Sequence, residues 1–366
     1  MSATPVPPPA PVRRERLPTS RLWWFTGPVM VLLLGVILLT AVKPVPYRAL
    51  LPGSARSVGP LVTIKPVKGG PVPPKEDPHD SPLFVTVSVR TPTGLEALWR
   101  MRDKSVEIVP AEVITGGQSQ KQNTQFNLQL MTDSKDKAKK VAMERAGYEV
   151  KVTPTGAVVT DLDPDLPVAE KIHPGDTIVE ADGKPVTTTA DVKTAIQAHR
   201  PGDTIVLKVE PFDGTPARTE TVKISENPQK KGTPLLGVSL EDRPKYDFPL
   251  DVQIDSGQVG GPSAGLAFTL AILDRLTPGK LTGPEPVAVT GTIELDGTVG
   301  PVGGVVQKTE AAVREGAKLF IVPDDEYADA KRAARGRLEV RKVSNLDEAL
   351  AVLRSVGGTP VVTKAD

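Results

Sequence analysis

The sequence predicts an α/β (α+β) domain in its C-terminal part, a β-rich domain in front of it, and a single transmembrane helix near the N-terminus. Residues 22–42 form an uncharged apolar run, which predicts the helix. Residues 147–226 contain short strand patterns separated by Pro-Gly-Asp and Asp-Gly turns. From residue 235 to residue 356, apolar strand patterns alternate with helical ones. The length of 366 residues suits two or three domains.

The composition excludes several classes of function. The formal net charge of +1 gives no electrostatic reason to expect a nucleic-acid partner. The chain has no cysteine, so disulfides, thiol catalysis and thiolate zinc sites are excluded. Its three histidines, His79, His173 and His199, fit loops better than a metal site, because two of them lie beside Pro-Gly-Asp turns. We therefore expect neither a metal nor another cofactor.

The N-terminal part of the chain predicts a membrane anchor. Residues 1–21 are rich in Pro and Arg and predict a disordered cytoplasmic tail. As a helix, residues 22–42 would span about 31 Å, which matches a bilayer core of about 30 Å. A cleaved signal peptide is the alternative, but the run is longer than a usual signal core and no clear cleavage site ends it. The arginines before the run favour a single-pass protein of the cell membrane, with residues 43–366 extracytoplasmic.

Residues 43–146 predict a spacer and an extracytoplasmic N-terminal region for which no function follows from the sequence. Residues 43–80 are punctuated by Pro and Gly and look irregular or extended. The patterns after them predict a strand over 83–89 and helices over 93–102 and 134–146, the second of which has Ser134 as its cap.

Residues 147–226 resemble a PDZ domain of the type associated with bacterial proteases. The resemblance rests on Gly156-Ala157-Val158-Val159, Pro167-Val168-Ala169 and the stretch 172–186, and covers about 80 residues. It implies a module that binds extended peptides by adding them to a sheet edge. By position, the peptide-binding loop would include Gly147 and Tyr148. The alternative for this pair is a helix cap followed by a core aromatic residue.

A serine lies in the stretch Gly260-Gly261-Pro262-Ser263-Ala264-Gly265, directly before the unbroken apolar residues 266–273. A hydroxyl at a tight turn that leads into a buried helix lies near free backbone N–H groups. That arrangement suits a nucleophile whose acyl intermediate passes through an oxyanion. Ser263 is therefore a candidate nucleophile.

Lys308 is the candidate partner of this serine. It falls on a predicted helix over 305–315, on the same face as Val305 and Ala312, while Gln307, Glu310 and Arg314 should occupy exposed faces. Burial lowers the pKa of a lysine, and a neutral amine can accept the proton of a serine hydroxyl. The alternative is that Lys308 extends to the solvent. Before this helix, the pattern predicts a strand over 285–291 and a hairpin over 292–299.

Three motifs in order resemble the proteolytic domain of the Lon family. They are Gly261-Pro262-Ser263-Ala264-Gly265, Thr290-Gly291-Thr292-Ile293 and the stretch 302–308. With the anchor and the PDZ-like module, the chain is similar to the membrane-anchored, PDZ-containing Lon-like proteases. The resemblance implies Ser263 as nucleophile, Lys308 as general base and residues 235–356 as the protease domain, followed by a tail over 357–366. Thr290 would orient the amine; a buried strand threonine is the alternative.

The chain departs from the family pattern at two points. Gly260 stands where many Lon proteases have an acidic residue, and no Gly-x-x-x-x-Gly-Lys-[Ser/Thr] nucleotide-binding loop occurs in the sequence. We therefore expect an ATP-independent, membrane-tethered serine endopeptidase with a Ser–Lys dyad, acting on flexible or unfolded protein and peptide segments. A non-catalytic membrane scaffold that binds peptide ends is the alternative. The resemblance also leaves open a ring-shaped homo-oligomer.

Overall fold

The computed structural model describes residues 28–32, 34–35, 40–66, 82–116, 119–212 and 214–361. The Arg-rich tail over 1–21, much of the predicted anchor over 22–42, and His79 lie outside the described residues. The described parts of the anchor, 28–32, 34–35 and 40–42, are helical. Within the described ranges, no helix combines the length and the apolar character that crossing a membrane requires.

The residues before position 146 are folded. They form the strands β1 (Tyr47–Ser57), β2 (Val62–Pro66) and β3 (Leu83–Arg90), the helix α1 (Gly94–Arg100), the strand β4 (Glu107–Pro110), and the helices α2 (Ala111–Thr115) and α3 (Gln120–Arg145).

The middle of the chain is rich in strands. It comprises β5 (Lys151–Leu162), β6 (Thr177–Ala181), β7 (Lys184–Pro185), the helix α4 (Thr189–Gln197), β8 (Thr204–Glu210), β9 (Arg218–Lys223), β10 (Ser225–Glu226), β11 (Pro234–Leu235) and β12 (Val238–Asp247).

The last third alternates strands and helices. Its elements are β13 (Leu250–Ile254), α5 (Gly265–Leu276), β14 (Val287–Val289), α6 (Val305–Arg314), β15 (Leu319–Pro323), α7 (Tyr327–Ala334), β16 (Glu339–Val343) and α8 (Leu346–Ser355). A short 3-10 turn over Asp324–Glu326 precedes α7.

A six-stranded mixed sheet lies between two layers of helices. Its order is β16-β15-β14-β3-β1-β4, with β3, β14, β15 and β16 parallel to one another and β1 antiparallel to both of its neighbours. The helices α3, α5 and α8 share a core with one face, and α6 and α7 share a core with the other. Because both faces are covered, Val287 and Val289 enter one core and Ala288 enters the other.

The β-rich middle of the chain is inserted into this sheet-and-helix domain. Its own sheet has the order β12-β5-β6-β8-β9, with a separate apolar core. The chain leaves the first domain at the end of α3 and returns to it at β13, which pairs antiparallel with β2. Thus β12, within the predicted protease range of 235–356, belongs to the β-rich sheet.

The structure corrects the prediction that residues 43–146 form a spacer. The strands β1 and β3 belong to the central sheet, and Ala55, Val62 and Phe84 are among the core residues that this segment supplies. The strand pattern of β1 is hidden in the sequence because Pro52 and Gly53 lie at an irregularity in its pairing with β3.

Two local predictions were wrong. Ser134 is not a helix cap, because α3 begins much earlier, behind a capping box in which Ser119 accepts from the Gln122 N–H. Residues 292–299 are not a hairpin of strands: a tight turn forms, in which the Glu294 N–H donates to the Thr298 carbonyl at 2.9 Å.

The helix that ends before Gly316 is confirmed, with Gly316 in the left-handed conformation.

Candidate active site

The loop that carries Ser263 connects β13 to α5. Gly261 has φ of +85°, and Ser263 is half-buried at the end of the loop. All residues of α5 except Arg275 are buried, so the helix is a fixed support inside the core. The turn closes where the Gly265 N–H donates to the Pro262 carbonyl at 3.2 Å. The nucleophile candidate therefore lies at the N-terminal end of a rigid helix.

The long helix α3 holds this loop from the other side. The Gly261 N–H donates to the Asn127 carbonyl at 2.7 Å, and the Ser134 hydroxyl donates to the Pro262 carbonyl at 2.9 Å. A Cβ at Gly260 would lie 2.9 Å from the Asn127 Cβ, closer than side chains approach one another. The contact with α3 thus leaves no room for a side chain at position 260.

Lys308 lies in the first half of α6, and only 3% of its surface is exposed. Its neighbours on the helix face, Val305 and Ala312, are buried as well. Burial lowers the pKa of Lys308 to about 7, although the nearby negative charge of Glu326 acts to raise it. A large fraction of the amine is therefore neutral near pH 7, as a general base requires.

One prediction about this helix was wrong. Gln307 is buried, with 1% of its surface exposed, whereas the sequence placed it on an exposed face. Its side-chain oxygen lies next to the backbone of Gly304, at the point where the chain packs on Val87 of β3. The first turn of α6 is enclosed on more sides than the amphipathic pattern indicated.

Thr290 connects the two halves of the site. It follows the last residue of β14 and is fully buried. Its hydroxyl donates to the Ser263 carbonyl at 3.2 Å and accepts from the Lys308 Nζ, also at 3.2 Å. The Gly291 N–H donates to the same carbonyl at 3.0 Å. The Thr290 hydroxyl donates its proton to the Ser263 carbonyl, so towards Lys308 it can only accept. The Lys308 amine is therefore the donor in that hydrogen bond, and its lone pair stays free.

Ser263 and Lys308 line one pocket of about 700 Å³. The serine loop forms one wall, and β3 together with the irregular part of β1 forms the opposite wall. Neither the Ser263 N–H nor the Ala264 N–H has a hydrogen-bond acceptor among the described residues. Both lie at the N-terminus of α5, where the helix dipole favours negative charge. These two N–H groups are the candidate donors to an oxyanion.

Known domains match the two parts of the fold. A Lon protease (S16) C-terminal proteolytic domain matches residues 242–355, which include Ser263, Thr290 and Lys308. The chain carries a Lon-type proteolytic domain. A PDZ domain matches residues 142–214, and the predicted presence of both domains is confirmed. The Lon-type domain is that of a serine endopeptidase.

Relatives match this chain over part of their length. The Lon protease of Desulforamulus reducens is 33% identical over 164 residues, which are 41% of this chain and 20% of the relative. The Lon protease of Chloroflexus aggregans is 32% identical over 174 residues, which are 43% of this chain and 21% of the relative. The chain therefore spans about a fifth of the length of these relatives.

The PDZ domain of an SdrC-like protein from Listeria monocytogenes is a similar solved structure. It is 28% identical, with a TM-score of 0.22, and the match covers 25% of this chain and 92% of that structure.

Gly147 and Tyr148 lie between α3 and β5, outside the strands of the PDZ sheet. Gly147 has φ of +84° and caps α3, with the Tyr148 N–H donating to the Met143 carbonyl at 2.9 Å. The Tyr148 ring packs against the core of the Lon-type domain. This is the arrangement of a helix cap followed by a core aromatic residue.

β12 is one of the two edge strands of the PDZ sheet, and β9 is the other. Within the described residues β12 pairs only with β5, and α4 packs alongside it. Val238 and Leu240 of β12 and Ile196 of α4 are partly buried apolar residues beside this edge. Sequence reasoning missed β12 because it lies far after the other PDZ strands. The signal in the sequence was Leu235-Leu236-Gly237, a glycine turn directly before a strand.

The histidines inside the described ranges form local contacts. The His199 Nε2 lies 2.7 Å from an Asp182 carboxylate oxygen, and His173 lies beside Asp176. Within the described part of the chain, His, Asp and Glu side chains form no group that would hold a metal ion.

Proposed function

We propose that this protein is an ATP-independent, membrane-tethered serine endopeptidase that hydrolyses flexible or unfolded extracytoplasmic protein segments. The observation that carries the proposal is the buried Lys308, whose pKa is lowered to about 7 and which lines the same pocket as Ser263. A buried lysine that is about half neutral near pH 7 suits proton transfer.

The chemistry follows from the positions of these groups. The neutral Lys308 amine takes the proton of the Ser263 hydroxyl while the serine oxygen attacks the substrate carbonyl. The Ser263 and Ala264 N–H groups stabilise the resulting oxyanion. Protonated Lys308 then gives its proton to the leaving amine, and an acyl-enzyme forms. Lys308 next activates the water that hydrolyses this ester. Thr290 keeps the amine in place throughout.

Labelling with a fluorophosphonate probe tests the assignment of the nucleophile. The intact chain should be labelled and should cleave an unfolded protein without ATP, while Ser263→Ala should lose both properties. The exposed Ser355, whose hydroxyl donates to the Val352 carbonyl, supplies the control Ser355→Ala. A chain that binds peptides but is neither labelled nor active would instead be a scaffold.

The absence of a nucleotide-binding loop in the sequence supports independence from ATP. Without a motor that unfolds substrates, cleavage should be confined to segments that already lack stable structure. One substrate protein, offered in its folded form and in a chemically unfolded form, tests whether cleavage needs unstructured segments. Equal cleavage of both forms, or cleavage that requires ATP, would contradict this part of the proposal.

The PDZ domain is proposed to select substrates through the edge of β12. The Leu236 and Gly237 N–H groups at its start have no acceptor among the described residues, so they are free to bind a carboxylate at a chain end. A non-cleavable peptide with a free carboxyl end should inhibit cleavage of an unfolded protein more than cleavage of a short peptide, and its amidated form should not. Equal inhibition of both substrates would argue against substrate selection by this domain.

The membrane topology is part of the same proposal. The apolar run over 22–42 and the arginines before it support a cytoplasmic N-terminus, with residues 43–366 outside the cell. Protease added to intact protoplasts should therefore digest the C-terminal part. Full protection of that part would contradict the proposed topology.

A further inference from the structure

The charges that line the active-site pocket are all of one sign. Among the described residues that line it, Arg56, Arg90 and Lys308 are the basic ones, and no Asp or Glu occurs. Lys308 is buried and about half neutral near pH 7, because its pKa is lowered to about 7. Arginine side chains keep their charge throughout the physiological pH range. The net positive charge in the pocket therefore comes mainly from two arginines.

Both arginines are exposed, and neither forms an ion pair with a carboxylate in the described part of the chain. Arginines outside the pocket do form ion pairs. Arg243 pairs with Glu210 at 2.5 Å, and Arg337 pairs with Glu310 at 2.7 Å. The guanidinium groups of Arg56 and Arg90 are thus free to bind a carboxylate that a substrate brings.

Strand pairing places the two arginines on one face of the sheet. Arg56 of β1 is opposite Phe84 of β3, and residues opposite each other in an antiparallel pair share a face. Arg90 lies on the same face as Phe84, because the two are separated by an even number of residues on β3. The Phe84 ring contacts Phe268 of α5, with ring centroids 6.0 Å apart, so this face is the one towards the serine loop.

The arginines mark the two ends of this wall. From Phe84 to Arg90 the strand spans about 20 Å at about 3.3 Å per residue. Thr86 and Ser88 lie between them on the same face and also line the pocket. β14 pairs with β3 only at Leu83 and Phe84, so the rest of that edge has no strand partner among the described residues. An extended substrate can add to this edge and run along the wall.

We propose that the pocket selects acidic polypeptide segments, with Arg56 and Arg90 binding carboxylates of an extended substrate near the bond that Ser263 attacks. This inference rests on the proposed peptidase function and names the substrate class of the same site. A segment with one acidic side chain towards each end of the wall meets both arginines. A carboxylate at the end of a peptide chain offers the same chemistry, so the test separates these two sources.

Short fluorogenic peptides with blocked ends provide the test. One peptide carries Glu on both sides of an apolar centre, its partners carry Gln or Lys there, and a further Gln peptide has a free carboxyl end. The full chain should cleave the Glu peptide with a kcat/KM roughly 25-fold above that of the Gln peptide, since an exposed ion pair contributes up to about fivefold. The Lys peptide should be the poorest substrate, and high salt should reduce the preference.

The variant Arg56→Gln/Arg90→Gln should lose the preference for the Glu peptide over the Gln peptide. Arg56→Lys/Arg90→Lys should retain part of it. Arg332, an exposed arginine of α7 paired with Asp329, supplies the control Arg332→Gln, which should keep the full preference. Equal cleavage of the Glu and Gln peptides, or a preference that survives in the double Gln variant, would overturn the proposal. If the chain prefers only the peptide with a free carboxyl end, the arginines bind the ends of peptide chains. That result would overturn the proposal that they bind acidic side chains.

Binding measured with Ser263→Ala keeps the test independent of catalysis. The Glu peptide should bind this variant more tightly than the Gln peptide, and adding the two Gln substitutions should abolish the difference. If the intact chain cleaves none of the peptides while this difference is present, the peptidase function fails and the charge selection stands. Indistinguishable binding of the two peptides would reject the selection even if both are cleaved.

Discussion

Lys308 and Ser263 line one pocket, but different kinds of contact hold them in place. Lys308 lies inside α6, and this helix packs on β1 and β3 of the central sheet and on α7. Ser263 lies on a loop whose hydrogen bonds come from α3, more than a hundred residues earlier in the chain. The base is thus fixed by the packing of a helix on the sheet, and the nucleophile by hydrogen bonds from α3 to its loop, with Thr290 bonded to both sides.

This difference predicts how substitutions near Lys308 and substitutions near Ser263 should affect catalysis. Substitutions on the Lys308 side should change the proton transfer itself and leave the serine loop in place. Substitutions on the Ser263 side should shift the serine relative to the base and leave the pKa of Lys308 unchanged. Activity and its pH dependence together separate these two kinds of damage.

The largest effect is expected for Lys308→Arg. Arginine keeps a positive charge but does not lose its proton near neutral pH, so it cannot act as the base. We expect kcat to fall by about 10² to 10⁴, the contribution of a positioned general base. Turnover of a short peptide and thermal unfolding would be measured together. A folded Lys308→Arg protein with near-normal turnover would remove Lys308 from the mechanism.

The pH dependence gives the next largest effect. The base must be neutral, and the pKa of Lys308 is lowered to about 7, so activity should rise with pH and level off above about 7. Below that value it should fall about tenfold for each pH unit. Since Glu326 acts to raise this pKa, Glu326→Gln should move the midpoint to lower pH. An unchanged midpoint in that variant would show that Glu326 does not influence the base.

Gly260→Ala should displace the loop that carries Ser263. The added methyl group would lie 2.9 Å from the Asn127 Cβ, so the loop must move by a few tenths of an ångström. We expect kcat to fall, by less than the roughly 10²-fold that a misplacement of about 1 Å costs. The pH midpoint should stay unchanged. The control Gly35→Ala adds the same methyl group where no atom lies within 4 Å. Full activity in Gly260→Ala would show that the loop tolerates displacement.

Thr290→Val removes the group that connects the two sides. Valine keeps the shape of threonine but neither donates to the Ser263 carbonyl nor accepts from Lys308. The loss should be about tenfold in kcat, which corresponds to a hydrogen bond of about 1.4 kcal/mol. Thr290→Ser, which keeps the hydroxyl, is the matched control and should recover most of the activity. Equal losses in both variants would point to packing instead of hydrogen bonding.

The smallest effect is expected for Ser134→Ala. It removes the hydrogen bond from α3 to the Pro262 carbonyl and leaves the Asn127 contact intact. We expect a loss of about 1 kcal/mol in the free energy of unfolding and about threefold in kcat. Thr132→Ala, at an exposed position of the same helix, is the control. If both variants behave alike, Ser134 contributes to the helix and not to the serine loop.

The amino-acid sequence alone determined the types of domain and the candidate site. The glycine-flanked Ser263, the inward face of α6 with Lys308, and the ordered motifs around them are properties of short windows, and periodicity and turn residues record them. The strand patterns and turns of the PDZ domain are local in the same way. The roles of Ser263, Lys308 and Thr290 stay predictions, now with a geometry that the experiments above test.

Only the tertiary structure decided how these parts are combined. The pairing of β2 with β13 joins residues 62–66 to residues 250–254 across the inserted PDZ domain, and such a contact leaves no mark in either local sequence. For the same reason the sequence did not show that α3 supports the serine loop, that β12 is an edge strand of the PDZ sheet, or why Gly260 lacks a side chain. Local propensity specifies elements, but the free energy that selects their pairing comes from burial shared between distant segments.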